Sequence, residues 1–97
     1  MIELAKGTIE KLVVDVTDRL ENLTTLDDKS PKFDIRPQFA ETYIVTNASA
    51  DSDGMRAECL VDTSDEDFVP GVYELYLHWD AFPEFPREGP LHFKVIS

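Results

Sequence analysis

Apolar and polar residues alternate most strictly between Val72 and Asp80. After a Pro70-Gly71 turn, Tyr73, Leu75, Leu77 and Trp79 fall on one side of an extended chain. Glu74, Tyr76, His78 and Asp80 fall on the other. A period of two belongs to a strand with one face in a core, so the first set is predicted to point inward. The same period recurs in shorter pieces. Ile2 and Leu4 form an opening strand stopped by Lys6-Gly7. Residues 8–17 follow, with Leu12, Val14 and Val16 inward. Residues 32–36 place Phe33 and Ile35 inward and end at Pro37, which has no ladder donor.

Residues 42–47, rich in β-branched and aromatic side chains, make a fourth strand. Asp51-Ser-Asp-Gly54 supplies turn chemistry, and residues 55–62, 72–80 and 91–96 complete a set of seven strands. Turn signals at this spacing favour an all-β sandwich over an α/β fold. Only the polar stretch 18–32 breaks the pattern. Its Leu20, Leu23 and Leu26 recur every three residues, which fits either a helical turn or a loop lying over the core. Ninety-seven residues make one domain, spanning 1–97, with a single modest core.

Charge changes the picture more than composition does. An apolar content of 42% excludes a disordered tail. The uncharged apolar runs are far shorter than a membrane span, and the N-terminus lacks the succession of a signal peptide, so general secretion is not expected. Twenty acidic against nine basic residues give a net charge of −11, with no basic cluster to offset it. That balance argues against nucleic acid and against an anionic membrane surface as partners. It fits a domain kept soluble by self-repulsion, or one whose partner presents a basic surface.

Candidate chemistry is sparse. Cys59 is the lone cysteine, shares its face with Met55, Ala57 and Val61, and reads as an inert core thiol. Asp62, Asp65, Glu66 and Asp67 form the densest anionic run. Their spacing lacks the alternation and central glycine of a calcium loop, so a solvated acidic loop without metal is expected. Asn22-Leu-Thr24 and Asn47-Ala-Ser49 match a glycosylation pattern that has no use without secretion. Glu74, Tyr76 and His78 share an outward face, which fits a contact surface or, as the leading reading, an ordinary exposed sheet surface.

The segment 81–90 joins the last two strands and holds three prolines with Phe82 and Phe85. Proline pre-sets φ and lowers the entropy lost on docking, so Phe82, Phe85 and Arg87 are the candidate partner-binding residues. The other reading folds both rings back as a lid on the end of the core. No nucleophile, base and orienting group fall together, so no enzyme activity, catalytic residue or cofactor is expected.

Three marks carry a likeness to a known group. Leu4-Ala-Lys-Gly-Thr8 precedes a β-rich segment; the stretch 23–35 ends in a late Phe33-Asp-Ile35 strand; and Pro70-Gly-Val-Tyr-Glu-Leu-Tyr-Leu77 leads into the final hairpin. Together they resemble immunoglobulin-like domains of tailed-bacteriophage virion proteins. In such sandwiches a Gly-x-Tyr step, here Gly71-Val-Tyr73, opens the sixth strand and the tyrosine pins a corner. The resemblance implies an immunoglobulin-like β-sandwich of about seven strands. It also implies a non-enzymatic structural module of the phage head, head–tail connector or baseplate, made in the host cytoplasm and residing in the virion. Its partners would be other virion proteins with neutral or basic docking surfaces, met in multiple copies. The alternative is a stand-alone sandwich that binds calcium or a carbohydrate.

Overall fold

The computed structural model describes residues 1–15, 26, 27, 29–79 and 91–97, together with the backbone of 82–85. The described residues form nine strands and no helix. They are β1 (Ile2–Ala5), β2 (Ile9–Asp15), β3 (Lys32–Pro37), β4 (Val45–Ser49), β5 (Asp51–Asp53), β6 (Arg56–Asp62), β7 (Gly71–Trp79), β8 (Phe82–Phe85) and β9 (Leu91–Ile96). Two sheets result. The larger runs β1-β9-β7-β3-β4, with β8 pairing β7, and the smaller runs β2-β6-β5. All ladders are antiparallel except β1 on β9.

The core is the set of residues that alternation turned inward. Leu12 and Val14 of β2 and Ala57, Cys59 and Val61 of β6 form the smaller sheet's contribution. Leu4, Phe33, Ile35, Tyr73, Leu75, Leu77, Trp79, Phe93 and Val95 form the larger sheet's, and Leu26 and Phe68 join from connecting segments. Tyr73 anchors one end. Its ring lies 5.2 Å from Phe68 and 5.5 Å from Phe93, and its hydroxyl donates to the Val69 carbonyl at 2.5 Å. A bond of this kind is worth about 1 kcal/mol net, and it fixes how the chain enters β7. Thr63, fully buried, accepts from the Thr8 amide at 3.1 Å, and its hydroxyl lies 2.8 Å from the Ala5 carbonyl. It ties the β1–β2 turn to the end of β6.

Three elements differ from the sequence expectation. The fourth strand begins at Val45 rather than residue 42. The β3–β4 register shifts between Phe33 and Ile35, and Asn47 takes a φ of 53° while its amide donates to Asp34 Oδ1 at 2.7 Å. That irregularity consumes residues that a regular ladder would have paired. Residues 51–53, expected as a turn, are a strand because they pair with Arg56–Glu58 of β6. The reversal itself falls at Gly54, with a φ of 62° that glycine adopts without strain.

The third difference is β8. Phe82–Phe85 was expected within a loop, yet Phe85 pairs with Leu77 and Phe82 with Trp79. The β9 ladder on β7 stops at Leu75↔Leu91, so β8 supplies hydrogen-bonding partners for the last part of a nine-residue strand. Val16, Thr17, Leu20, Leu23 and Asp80 lie outside the described residues.

Candidate functional site

Register across β3, β7 and β9 assembles a polar patch on the outer face of the larger sheet. Arg36 stands opposite Glu74, and Glu74 opposite His92, so these three form one row across the strands. Asp34 stands opposite Tyr76 in the next row, with His78 diagonal to Asp34. Arg36 Nε donates to Glu74 Oε1 at 2.9 Å, and Arg36 Nη2 to Tyr76 Oη at 3.2 Å. Its guanidinium carbon sits 5.3 Å from the Tyr43 ring centroid and 5.4 Å from that of Tyr76. The Glu74 bond, opposed in part by desolvation, pushes the Arg36 pKa above its ordinary value.

Two histidines border the patch. His92 Nε2 lies 3.5 Å from Glu74 Oε2, and His78 Nε2 lies 3.3 Å from Asp34 Oδ1. Glu74 thus meets Arg36 with one oxygen and His92 with the other. The expectation of an ordinary exposed face here is corrected: Glu74 is 9% and Tyr76 7% exposed. The cause is length. Arginine, tyrosine, glutamate and histidine lie across one another and exclude water where short side chains would not. Sequence pattern does not reveal Arg36, which only register brings to β7, or Tyr43, which reaches the patch from the β3–β4 connection.

A second feature lies where β4, at the end of the larger sheet's order, meets the end of β6. β5 is three residues long and covers β6 only as far as Glu58. Beyond it a cleft of about 210 Å³ opens between β4 and the end of β6. Phe33, Ile35, Ile44, Val45, Val61 and Phe68 contribute its apolar lining, and Asp62, Asp65 and Asp67 its acidic rim.

The acidic run is locally organised. Asp62 Oδ1 accepts from the Ser64 hydroxyl at 2.5 Å and the Ser64 amide at 2.9 Å, which pulls its carboxyl pKa down. Asp65 Oδ1 accepts from the Asp67 amide at 2.9 Å, and Lys6 Nζ donates to the Asp65 carbonyl at 2.6 Å. Among the described residues no group of three or more His, Cys, Asp or Glu is arranged to hold a metal.

The remaining candidates are placed as follows. Phe82 and Phe85 occupy the ends of β8, a strand and not a loop, in register with Trp79 and Leu77. Arg87 lies outside the described residues, as does Asn22-Leu-Thr24. Asn47-Ala-Ser49 falls within β4. Cys59 is fully buried, and burial pushes its thiol up to about 12, so thiolate chemistry is suppressed at neutral pH. Comparisons with protein-family models, curated proteins and solved structures return no significant match.

Proposed function

We propose that this protein is a non-enzymatic interaction module with an immunoglobulin-like fold, which serves in a tailed-phage particle by docking on other virion proteins. The observation that carries the docking reading is Arg36, held between the rings of Tyr43 and Tyr76 and bonded to Glu74. Arginine and tyrosine dominate interface anchors, and side chains already fixed lose little entropy when a partner arrives. The face is part polar and part aromatic. β8 extends the same sheet along β7, pairing Phe82 with Trp79 and Phe85 with Leu77. Phe82, Phe85 and Arg87 are a second proposed contact, which rests on the proline-stiffened aromatic sequence and not on the Arg36 face.

Two features support the fold assignment. The smaller sheet β2-β6-β5 and the larger β1-β9-β7-β3-β4 correspond to the B-E-D and G-F-C groupings of a variable-type sandwich, with β4 added beside C. The Tyr73 hydroxyl bond to Val69, four residues upstream at the entrance to β7, has the form of a tyrosine corner. The virion setting rests on the sequence resemblance. The charge of −11 adds that partner surfaces are neutral or basic at the contact.

The test is incorporation. The chain should be detectable by mass spectrometry in density-purified particles of the encoding phage. Tyr43→Ser and the pair Phe82→Ser with Phe85→Ser should fold alone yet incorporate poorly. Absence from purified particles defeats the virion setting. Wild-type copy number for every variant defeats the docking surface. If the Phe82/Phe85 variant unfolds and the wild-type rings are protected in the free monomer, those rings belong to the core.

A further inference from the structure

We infer that the cleft beside β6 receives an extended segment of a partner protein, alternating apolar and basic residues, as an added strand along Leu60–Asp62. The backbone argument comes first. Thr63 N donates to Thr8 O at 2.9 Å, on the β2 side. Backbone groups alternate sides along a strand, so Leu60 and Asp62 turn theirs the other way, toward the cleft. β5 pairs with β6 only at Arg56, Ala57 and Glu58. No described strand continues along that side of Leu60–Asp62, which is the geometry that strand addition uses.

The lining and rim specify the side chains. Phe33, Val45, Val61 and Phe68 make the apolar floor of a cleft of about 210 Å³. That is below the roughly 300–1,000 Å³ typical of small-molecule sites, so it suits one or two side chains of an extended peptide. The rim residues Asp62, Asp65 and Asp67 are exposed and border the cleft at the end of β6. Lysine or arginine in the added strand complements them. A second copy of this chain is disfavoured as occupant, because each copy brings a charge of −11 and the same acidic rim. The inference needs neither the phage setting nor the Arg36 face, and it stands or falls separately from them.

The probe is a fluorescent capped peptide of alternating lysine and valine, compared with a glutamate–valine peptide and with a lysine–valine peptide carrying proline at every second valine. Binding is read by anisotropy at low and moderate salt and mapped by amide chemical shifts. The lysine–valine peptide is expected to saturate, to shift the amides of Leu60, Val61 and Asp62, and to slow hydrogen exchange at Leu60 and Asp62. Both control peptides should bind at least about tenfold more weakly. Asp65→Asn with Asp67→Asn should weaken binding on the order of tenfold at low salt, with a smaller loss at moderate salt. Three results would overturn the inference: no saturable binding, equal binding of the proline peptide, which would mean charge alone, or shifts mapping away from β6. Concentration-dependent dimers with the same amide shifts and no peptide would assign the edge to self-association instead.

Discussion

The outer faces of the two sheets are built from the same period of two and end up unlike. On the larger sheet, five consecutive β7 residues, Tyr73 to Leu77, are all buried, so both faces of that strand are covered. On the smaller sheet burial alternates strictly through β6 from Arg56 to Asp62, and Ile9, Val13 and Leu60 stay 66%, 46% and 56% exposed. The ion pairs differ likewise. Arg36–Glu74 is 2.9 Å with Glu74 nearly enclosed, whereas Lys11–Glu58 and Arg56–Asp15 are 3.6 and 3.7 Å, and of those four groups only Glu58 is half-buried. Exposed pairs of that kind contribute little to stability. Long side chains that pair with one another can close a sheet face without a covering element, and short β-branched ones cannot.

The strongest way to sharpen the contrast lies inside one strand. Cys59 and Leu60 are neighbours on β6, one fully buried and the other 56% exposed. The Cys59 pKa is raised from 9.0 to about 12 in the folded state. A raised pKa means its contribution to stability is whole below about 9 and is lost as pH climbs toward 12. Tyr73 also rises above its ordinary 10.0, with the same sign, so it must be cancelled by comparing wild type with Cys59→Ala. The difference in unfolding free energy between those two should shrink by about 1.4 kcal/mol per pH unit across the window above pH 9. Parallel curves would mean that the thiol titrates as if exposed.

Next in size is the outer face itself. Tyr76 points away from the core, yet it is 7% exposed and bonded to Arg36. Tyr76→Ala should cost about 1.5–3 kcal/mol, as burial of a large side chain implies. Urea denaturation measures it directly. A cost near zero would show that the polar cover is loose and that the two outer faces are energetically alike.

Much of the fold could be read from period alone, because one buried face writes itself into sequence as alternation. Leu12, Val14, Phe33, Ile35, Cys59 and Tyr73 were all assigned to the inner side and are there. What escaped depends on pairing between distant segments. β5 looks like a turn until Arg56–Glu58 arrives beside it, and β8 like a stiff loop until β7 outruns β9. The Arg36 patch needs the register of three strands before its members become neighbours. The cleft is subtler still, since it exists only because β5 stops after three residues. Nothing local in Asp51-Ser-Asp dictates that length.

The smallest effect is expected on the bare face. Val13 is 46% exposed on β2, opposite Glu58. Threonine keeps the branching at Cβ that suits a strand and replaces a methyl that water already reaches. Val13→Thr should therefore change stability by less than about 0.5 kcal/mol, within the range of surface substitutions. The measurement is a denaturation midpoint at two protein concentrations at least tenfold apart. A loss above about 1 kcal/mol that appears only at the higher concentration would mean that this face is covered by another molecule in solution, since association stabilises by mass action. A loss independent of concentration would place Val13 in a packed environment within the chain, and the contrast between the two outer faces would disappear.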